Sequence, residues 1–324
     1  MKTEFGGRRC KGGRFNQGGF SMYNPDCAIL GGDPFSDIFR GLYDPKCFWR
    51  LTDPDYCLAV MQGAYDGGCR AFDYSFPAVQ EIFLRLQDRV DEEITGYGNP
   101  TYLQGVKLDG RPLQYCRDRV LKTIVEDFFE PRLARMIKDD LRHNACMVFG
   151  YDEAAEKLGD KEIKGLYLDE AAFTKRLREL DACKYVMIGG TDADWLFSLQ
   201  RPDLIQEMAA LVRANGKIPL LICHYASTVL PEAERIKLDV EGYFVPINKQ
   251  WSWFSKEETV EAIKVCTKPV IAFMAFASGG LKQDLPGALA YLKNEAGVSG
   301  VLYGTSKPEN ARKTAELIIE MYKG

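Results

Sequence analysis

The chain has 324 residues, a formal net charge of −4, and a composition that is 46% hydrophobic and 27% charged. Such a balance suits a folded chain of one or two domains, and the small acidic excess argues against nucleic acid or an anionic membrane surface as partner. With only two histidines, His143 and His224, a multi-histidine zinc or iron centre is all but excluded; a carboxylate-held magnesium ion stays open, but nothing in the sequence demands a metal and none is expected.

Residues 1–24 are glycine-rich and basic, which predicts a mobile arm, a lid over a site or a contact swapped between the subunits of a homo-oligomer. They lack the apolar core of a secretory signal, and nowhere does an apolar run approach the ~18 residues of a membrane span. Ten cysteines are scattered without a CxxC pair, the usage expected of reduced thiols in a cytoplasmic protein.

From residue 25 onward, short apolar runs alternate with amphipathic stretches. CAILGG (27–32) predicts a first strand ending in Asp33-Pro34-Phe35-Ser36, and a helix follows over about 53–66. CRAFDYS gives a second strand ending near Asp73, then a helix over 78–90 and a third strand over 94–102. A long helical region is expected to about residue 142, and 143–183 includes the helix EAAFTKRLREL. KYVMIGG, KIPLLICH, GYFVPIN, KPVIAFMAFAS and GVLYGTS then read as five more strands, separated by helical patterns such as RPDLIQEMAALVRANG. Near-continuous apolar strands, each followed by a helix, require a parallel sheet covered on both sides. Eight such repeats without a GxGxxG turn favour a closed α/β (β/α)8 TIM barrel over a doubly wound sheet. Residues 25–324 are therefore expected to form one barrel domain, with 103–170 as an enlarged third unit or insertion.

Barrel sites are built from the C-terminal ends of the strands. Those ends carry Asp33, Ser36, Asp73, Tyr74, Asn99, Asp192, His224, Asn248, Lys249, Ser278, Ser306 and Lys307, although any one of them could merely cap a helix. His224 ends a strongly apolar strand, where an imidazole can act as acid, base or hydrogen-bond donor. A buried Asp73 needs a partner, for which Lys107, Lys249 and Arg70 are candidates. Lys249 in an apolar mouth could form a Schiff base, or it could be a surface lysine beside Trp251 and Trp253. Those tryptophans, with Phe254, could wall a flat ligand or fill a subunit contact. GTSKPEN turns the eighth strand into its helix; Gly304, Thr305, Ser306, Lys307 and the following turn with Asn310 offer backbone N–H groups and a cation to a phosphate, or simply start the helix.

Three segments resemble the aldo/keto reductase superfamily: GGCRAFDYS, RPDLIQEMAALVRANGKIPLLI and GVLYGTSKPENARKTAELI. The resemblance implies a reductase-type barrel, catalytic Asp73, a strand-three lysine at Lys107, and NADP(H) held by the strand-eight segment with Ser278 nearby. Two positions depart from the family pattern: Ala78 stands where the family has its catalytic tyrosine, and Ile188-Gly189-Gly190 where it has a histidine. ILGGDPFS, LLICHYAS and KPVIAFMAFASGG also resemble a branch related to that superfamily, one with no established activity.

Three functions stay open at this level. One is an oxidoreductase using NADP(H) on a small carbonyl or hydroxyl metabolite, with Asp73, Tyr74, His224 and Lys107 as catalytic candidates. Another is a cofactor-free lyase, aldolase or isomerase for a phosphorylated or carboxylated molecule, with Lys249 as a Schiff-base candidate. The third is a non-catalytic ligand-binding barrel. Asp33, Asn248, Trp251 and Trp253 are the candidate substrate contacts throughout.

Overall fold

The computed structural model describes residues 23–36, 48–100, 105–129 and 151–323. Eight parallel strands close into a barrel: β1 (Ala28–Leu30), β2 (Ala71–Asp73), β3 (Thr95–Gly98), β7 (Cys183–Gly189), β8 (Ile218–Ile222), β9 (Tyr243–Pro246), β10 (Val270–Phe273) and β11 (Gly300–Tyr303). Around the ring the order is β1-β11-β10-β9-β8-β7-β3-β2. The helices in chain order are α1 (Pro54–Asp66), α2 (Pro77–Gln87), α3 (Arg117–Thr123), α4 (Asp160–Lys164), α5 (Glu170–Glu179), α6 (Thr191–Ser198), α7 (Pro202–Ala214), α8 (Ala226–Arg235), α9 (Lys256–Lys264), α10 (Leu285–Ala290) and α11 (Pro308–Lys323). None of the helices among the described residues is long and apolar enough to cross a membrane.

Strand side chains alternate between two layers. Ile29, Ala71, Tyr97, Tyr185, Met187, Leu220, Phe244, Ile271 and Phe273 form the inner layer, while Phe72, Tyr74, Val186, Ile188, Leu221, Val245 and Val301 join the helices in the outer one. Each fully buried Leu, Ile, Val or Phe contributes roughly 1.5–3 kcal/mol, so both layers hold the ring closed. At the N-terminal end of the barrel Tyr23 and Tyr97 pair their hydroxyls at 3.3 Å, and Tyr97 donates to Asp26 Oδ2 at 2.9 Å.

The enlarged third unit differs from the long helix expected from the sequence. It opens with β4 (Val106–Leu108) and β5 (Arg111–Pro112), which pair antiparallel and are joined on the other side of β4 by β6 (Tyr167–Leu168). The turn Asp109-Gly110 has φ of 48° and 78°, the left-handed pair that a two-residue hairpin turn requires. A continuous helical run then covers 113–128, with α3 at its centre, before the described residues stop at 129. Nearly all of the basic arm expected at 1–24 lies outside the described residues.

Candidate active site

The strand ends gather two groups of polar residues at the mouth. On the β1–β2 side, Asp73 is buried and points inward with Ala71. Its Oδ2 accepts the Gly32 N–H at 3.0 Å; its Oδ1 accepts the Ser75 N–H at 2.7 Å and also the Ser75 hydroxyl. The close fit requires glycine at 32, because a Cβ there would lie 2.9 Å from Asp73 Oδ2 and from Val79. Burial raises the Asp73 carboxyl above its ordinary value, opposed by the Ser75 and Gly32 hydrogen bonds. Half-buried Asp33 is pushed up to about 7, first by burial and then by the nearby Asp73 charge.

Tyr74, adjacent to Asp73, faces the opposite way. Its ring packs edge-on against Phe83 of α2 with centroids 5.1 Å apart, and its hydroxyl donates to Asp181 Oδ1 at 3.1 Å. The proposed tyrosine acid therefore lies in the outer layer, because neighbouring residues of a strand alternate faces. Lys107 is on β4, outside the ring, and its amine is engaged by Asp169. Lys249 is 45% exposed and bonded to Asp284 Oδ2 at 2.7 Å, a solvated ion pair unlike the apolar pocket that a Schiff-base lysine needs. Asn248 is fully buried: Nδ2 donates to Met274 O at 3.1 Å, and Oδ1 accepts the N–H groups of Gln250 and Trp251, both at 2.9 Å. It shapes the turn after β9.

The β7–β8 side is different. Gly189 and Gly190 have φ of 100° and 65°, and a Cβ on Gly189 would meet Ala193 Cβ at 2.6 Å and Ile222 O at 2.8 Å. These glycines let α6 start directly from the strand, with Gly190 N–H bonded to Ile222 O at 2.6 Å. The first turn of α6 carries Asp192 and Asp194, both 2% exposed. Asp194 reaches the next strand end. Oδ1 accepts the N–H groups of His224 and Tyr225 at 2.8 and 2.9 Å, and Oδ2 lies 2.6 Å from His224 Nδ1. A carboxylate only accepts, so Nδ1 carries a proton and Nε2 is the atom that gains or loses one. His224 is 7% exposed, and Nε2 has no hydrogen-bond partner among the described residues. The ring stands beside Phe273 of the inner layer and beside Trp253, at centroid distances of 5.6 and 5.3 Å.

Asp192 has one oxygen engaged: Oδ1 accepts Gln114 Nε2 at 3.0 Å. Burial pushes its carboxyl up to about 6, the Gln114 bond opposes that, and Asp194 adds to it. Trp253 is buried, and its indole N–H has no partner among the described residues. Beside it Phe254 has φ 62°, a strained backbone for a bulky residue. Half-buried Trp251 lies at the edge of the same loop.

At the eighth strand end Gly304 is exposed, and Thr305, Ser306 and Lys307 are half-buried. Tyr56 donates its hydroxyl to Ser306 O at 3.0 Å, and the Lys307 N–H points weakly to Thr305 Oγ1 at 3.5 Å. The Lys307 amine has no acidic partner among the described residues. The 16-residue α11 begins here with Pro308 at its first position, and Asn310 is exposed in its first turn. Ser278, also exposed, lies in a turn after β10 where Met274, Ala277 and Ser278 all have φ near 50°. A surface cleft of about 390 Å³, lined by Asp55, Gln62, Arg89, Glu309 and Arg312, adjoins the start of α11. Another of about 540 Å³ lies at the opposite end of the barrel beside Asp26, Arg70 and Tyr322. Neither cleft contains His224; chemistry, rather than cavity size, marks the mouth.

Asp194 is the functional candidate missed in the sequence. No local motif announces a carboxylate that leaves its own helix to hold the histidine of the next strand.

No protein-family model matches the chain, and no curated protein matches it. Among solved structures it is similar to a protein provisionally named an aldo-keto reductase from Pseudomonas aeruginosa, with a TM-score of 0.54, 15% identity, and coverage of 91% of this chain and 90% of that one. A second structure bearing the same provisional name and organism gives a TM-score of 0.53 at 14% identity, over 91% and 90% of the two chains. The similarity is one of fold: the chain closes into a (β/α)8 barrel.

Proposed function

We propose that the protein is an oxidoreductase that interconverts a small carbonyl compound and its alcohol, with His224 as the proton-transferring group and NADP(H) as the hydride partner. The observation that carries this reading is the Asp194–His224 pair, which presents an unengaged Nε2 at the barrel mouth. The family's tyrosine position is Ala78 and Tyr74 faces away, so a proton donor must come from elsewhere, and His224 is the described mouth residue equipped for it. Asp194 fixes the tautomer and the ring orientation, as a carboxylate does for histidine in acid–base catalysis. In reduction, Nε2 gives its proton to the carbonyl oxygen; in oxidation, it takes the hydroxyl proton.

Ser306, Lys307 and the first N–H groups of α11 fit a phosphate by donor type and charge. They would hold the phosphate end of the dinucleotide. When bound, the nicotinamide supplies or accepts the hydride that balances the proton at Nε2. The Schiff-base aldolase reading loses its nucleophile, because Lys249 is solvated and paired with Asp284.

Titration with NADPH, followed by quenching of protein fluorescence, tests the cofactor. Binding should be weakened about tenfold or more in Lys307→Ala, the scale of one lost charge-assisted contact. Absence of NADPH binding to the unmodified protein at millimolar concentration would end the oxidoreductase reading.

A further inference from the structure

Asp192 and Asp194 sit two residues apart on the first turn of α6 and are equally buried, yet they differ in how they are satisfied. Both oxygens of Asp194 are occupied by His224 and Tyr225. Asp192 has only the Gln114 bond on Oδ1; Oδ2 has no partner among the described residues, and it is not one of the buried atoms sealed from solvent without a partner. A carboxylate that is almost wholly buried and half-satisfied is costly and is normally completed by something. Its position at the mouth means that a bound molecule can complete it.

We propose that Asp192, positioned by Gln114, is a ligand-binding group of the mouth, and that the ligand carries an O–H or N–H donor beside the oxygen served by His224. The proposal rests on the carbonyl–alcohol reading and narrows it to carbonyl compounds with a neighbouring hydroxyl or amine. Asp192 Oδ2 accepts the neighbouring donor while His224 Nε2 handles the reacting oxygen. A carboxylate or phosphate in place of that donor would meet Asp192 and Asp194 together. Lys107 and Lys249, which the sequence offered as partners for Asp73, are committed to Asp169 and Asp284 and do not complete Asp192 either. Gln114 also gives the enlarged third unit a role. It reaches Asp192 across 78 positions of sequence, so the insertion takes part in choosing the ligand.

Hydroxyacetone, acetone and pyruvate test this: they place a hydroxyl, nothing or a carboxylate beside the same ketone. In steady-state reduction with NADPH, the intact protein should prefer hydroxyacetone over acetone by about tenfold or more in kcat/KM, the scale of one hydrogen bond to a charged group. Pyruvate should be the poorest of the three. In Asp192→Ala the hydroxyacetone-to-acetone ratio should fall toward one, through a raised KM for hydroxyacetone. Gln114→Ala should move it in the same direction by a smaller factor. An equal loss for both ketones, or an undiminished ratio, would overturn the proposal. If neither ketone is reduced, the oxidoreductase reading fails, and saturation-transfer NMR, which needs no turnover, still decides the inference. Hydroxyacetone signals present with the intact protein and lost in Asp192→Ala support it; no binding to the intact protein, or equal binding to both, refutes it. Thermal unfolding of each variant separates a binding loss from misfolding, and Asp192→Asn replaces Asp192→Ala should the latter not fold.

Discussion

On the β1–β2 side of the mouth Asp73 spends both oxygens on Gly32 and Ser75, and Tyr74 spends its hydroxyl on Asp181. On the β7–β8 side Asp192 and His224 are as deeply buried, but each keeps one polar atom without a partner among the described residues. Both sides pay for burying polar groups. On the second, two deeply buried groups each keep an atom for another molecule; on the first, the carboxylate without a partner among the described residues is that of Asp33, which is only half-buried. Burial and an unusual carboxyl environment therefore do not locate chemistry by themselves: Asp33 is shifted further than Asp192, yet its neighbour Asp73 has both oxygens engaged by Gly32 and Ser75. The difference lies in which groups are already satisfied.

The comparison breaks most visibly at His224. Replacement by alanine should reduce kcat/KM for ketone reduction about 10²- to 10⁴-fold, the range of general acid–base catalysis. Asp73→Asn should act chiefly on stability, costing about 1–3 kcal/mol because buried donors lose an acceptor, with turnover per folded molecule changed less than about threefold. Denaturant unfolding and initial rates measured on the same samples separate the two. A fully folded Asp73→Asn protein with turnover as low as that of His224→Ala would reverse the assignment of the two sides.

A smaller effect sharpens the contrast. The Asp192 carboxyl is raised to about 6, against an ordinary value near 4. Between those two pH values the unfolded chain sheds the proton while the folded one keeps it, so stability falls as pH rises through the window and stays lower above it. Asp192→Asn removes that cost. It should stabilise the fold by about 1–3 kcal/mol at pH 7, with the gain disappearing below about pH 4. Thermal unfolding across that range measures it. A gain in stability together with a loss of hydroxyacetone preference would mark Asp192 as a residue kept for binding rather than for the fold. Destabilisation at pH 7 would mark it as structural, like Asp73.

Much of the ring was legible, because buried parallel strands are written as short apolar runs and each ends on a polar residue. His224 and Asp192 could be placed at the mouth on that basis. Tyr74 was misplaced although the signal was present: with Asp73 turned inward, strict alternation sends its neighbour outward. Lys107 was read into a strand-to-helix unit, yet Leu108-Asp109-Gly110-Arg111 carries the Asp-Gly signature of a hairpin. The pairings Asp194–His224, Lys249–Asp284 and Gln114–Asp192 join residues 30, 35 and 78 positions apart. Only the folded ring brings them together, so no reading of local pattern could have found them.

The most direct test uses the chain's scarcity of histidine. Only His143 and His224 are present, so ¹⁵N-histidine labelling gives two imidazole spin systems, which His143→Gln assigns. If His224 is the working group of the mouth, its neutral ring carries the proton on Nδ1, and adding hydroxyacetone shifts its Nε2 resonance while His143 stays still. A ring protonated on Nε2 in its neutral form, or an Nε2 signal indifferent to the ligand, would contradict the account.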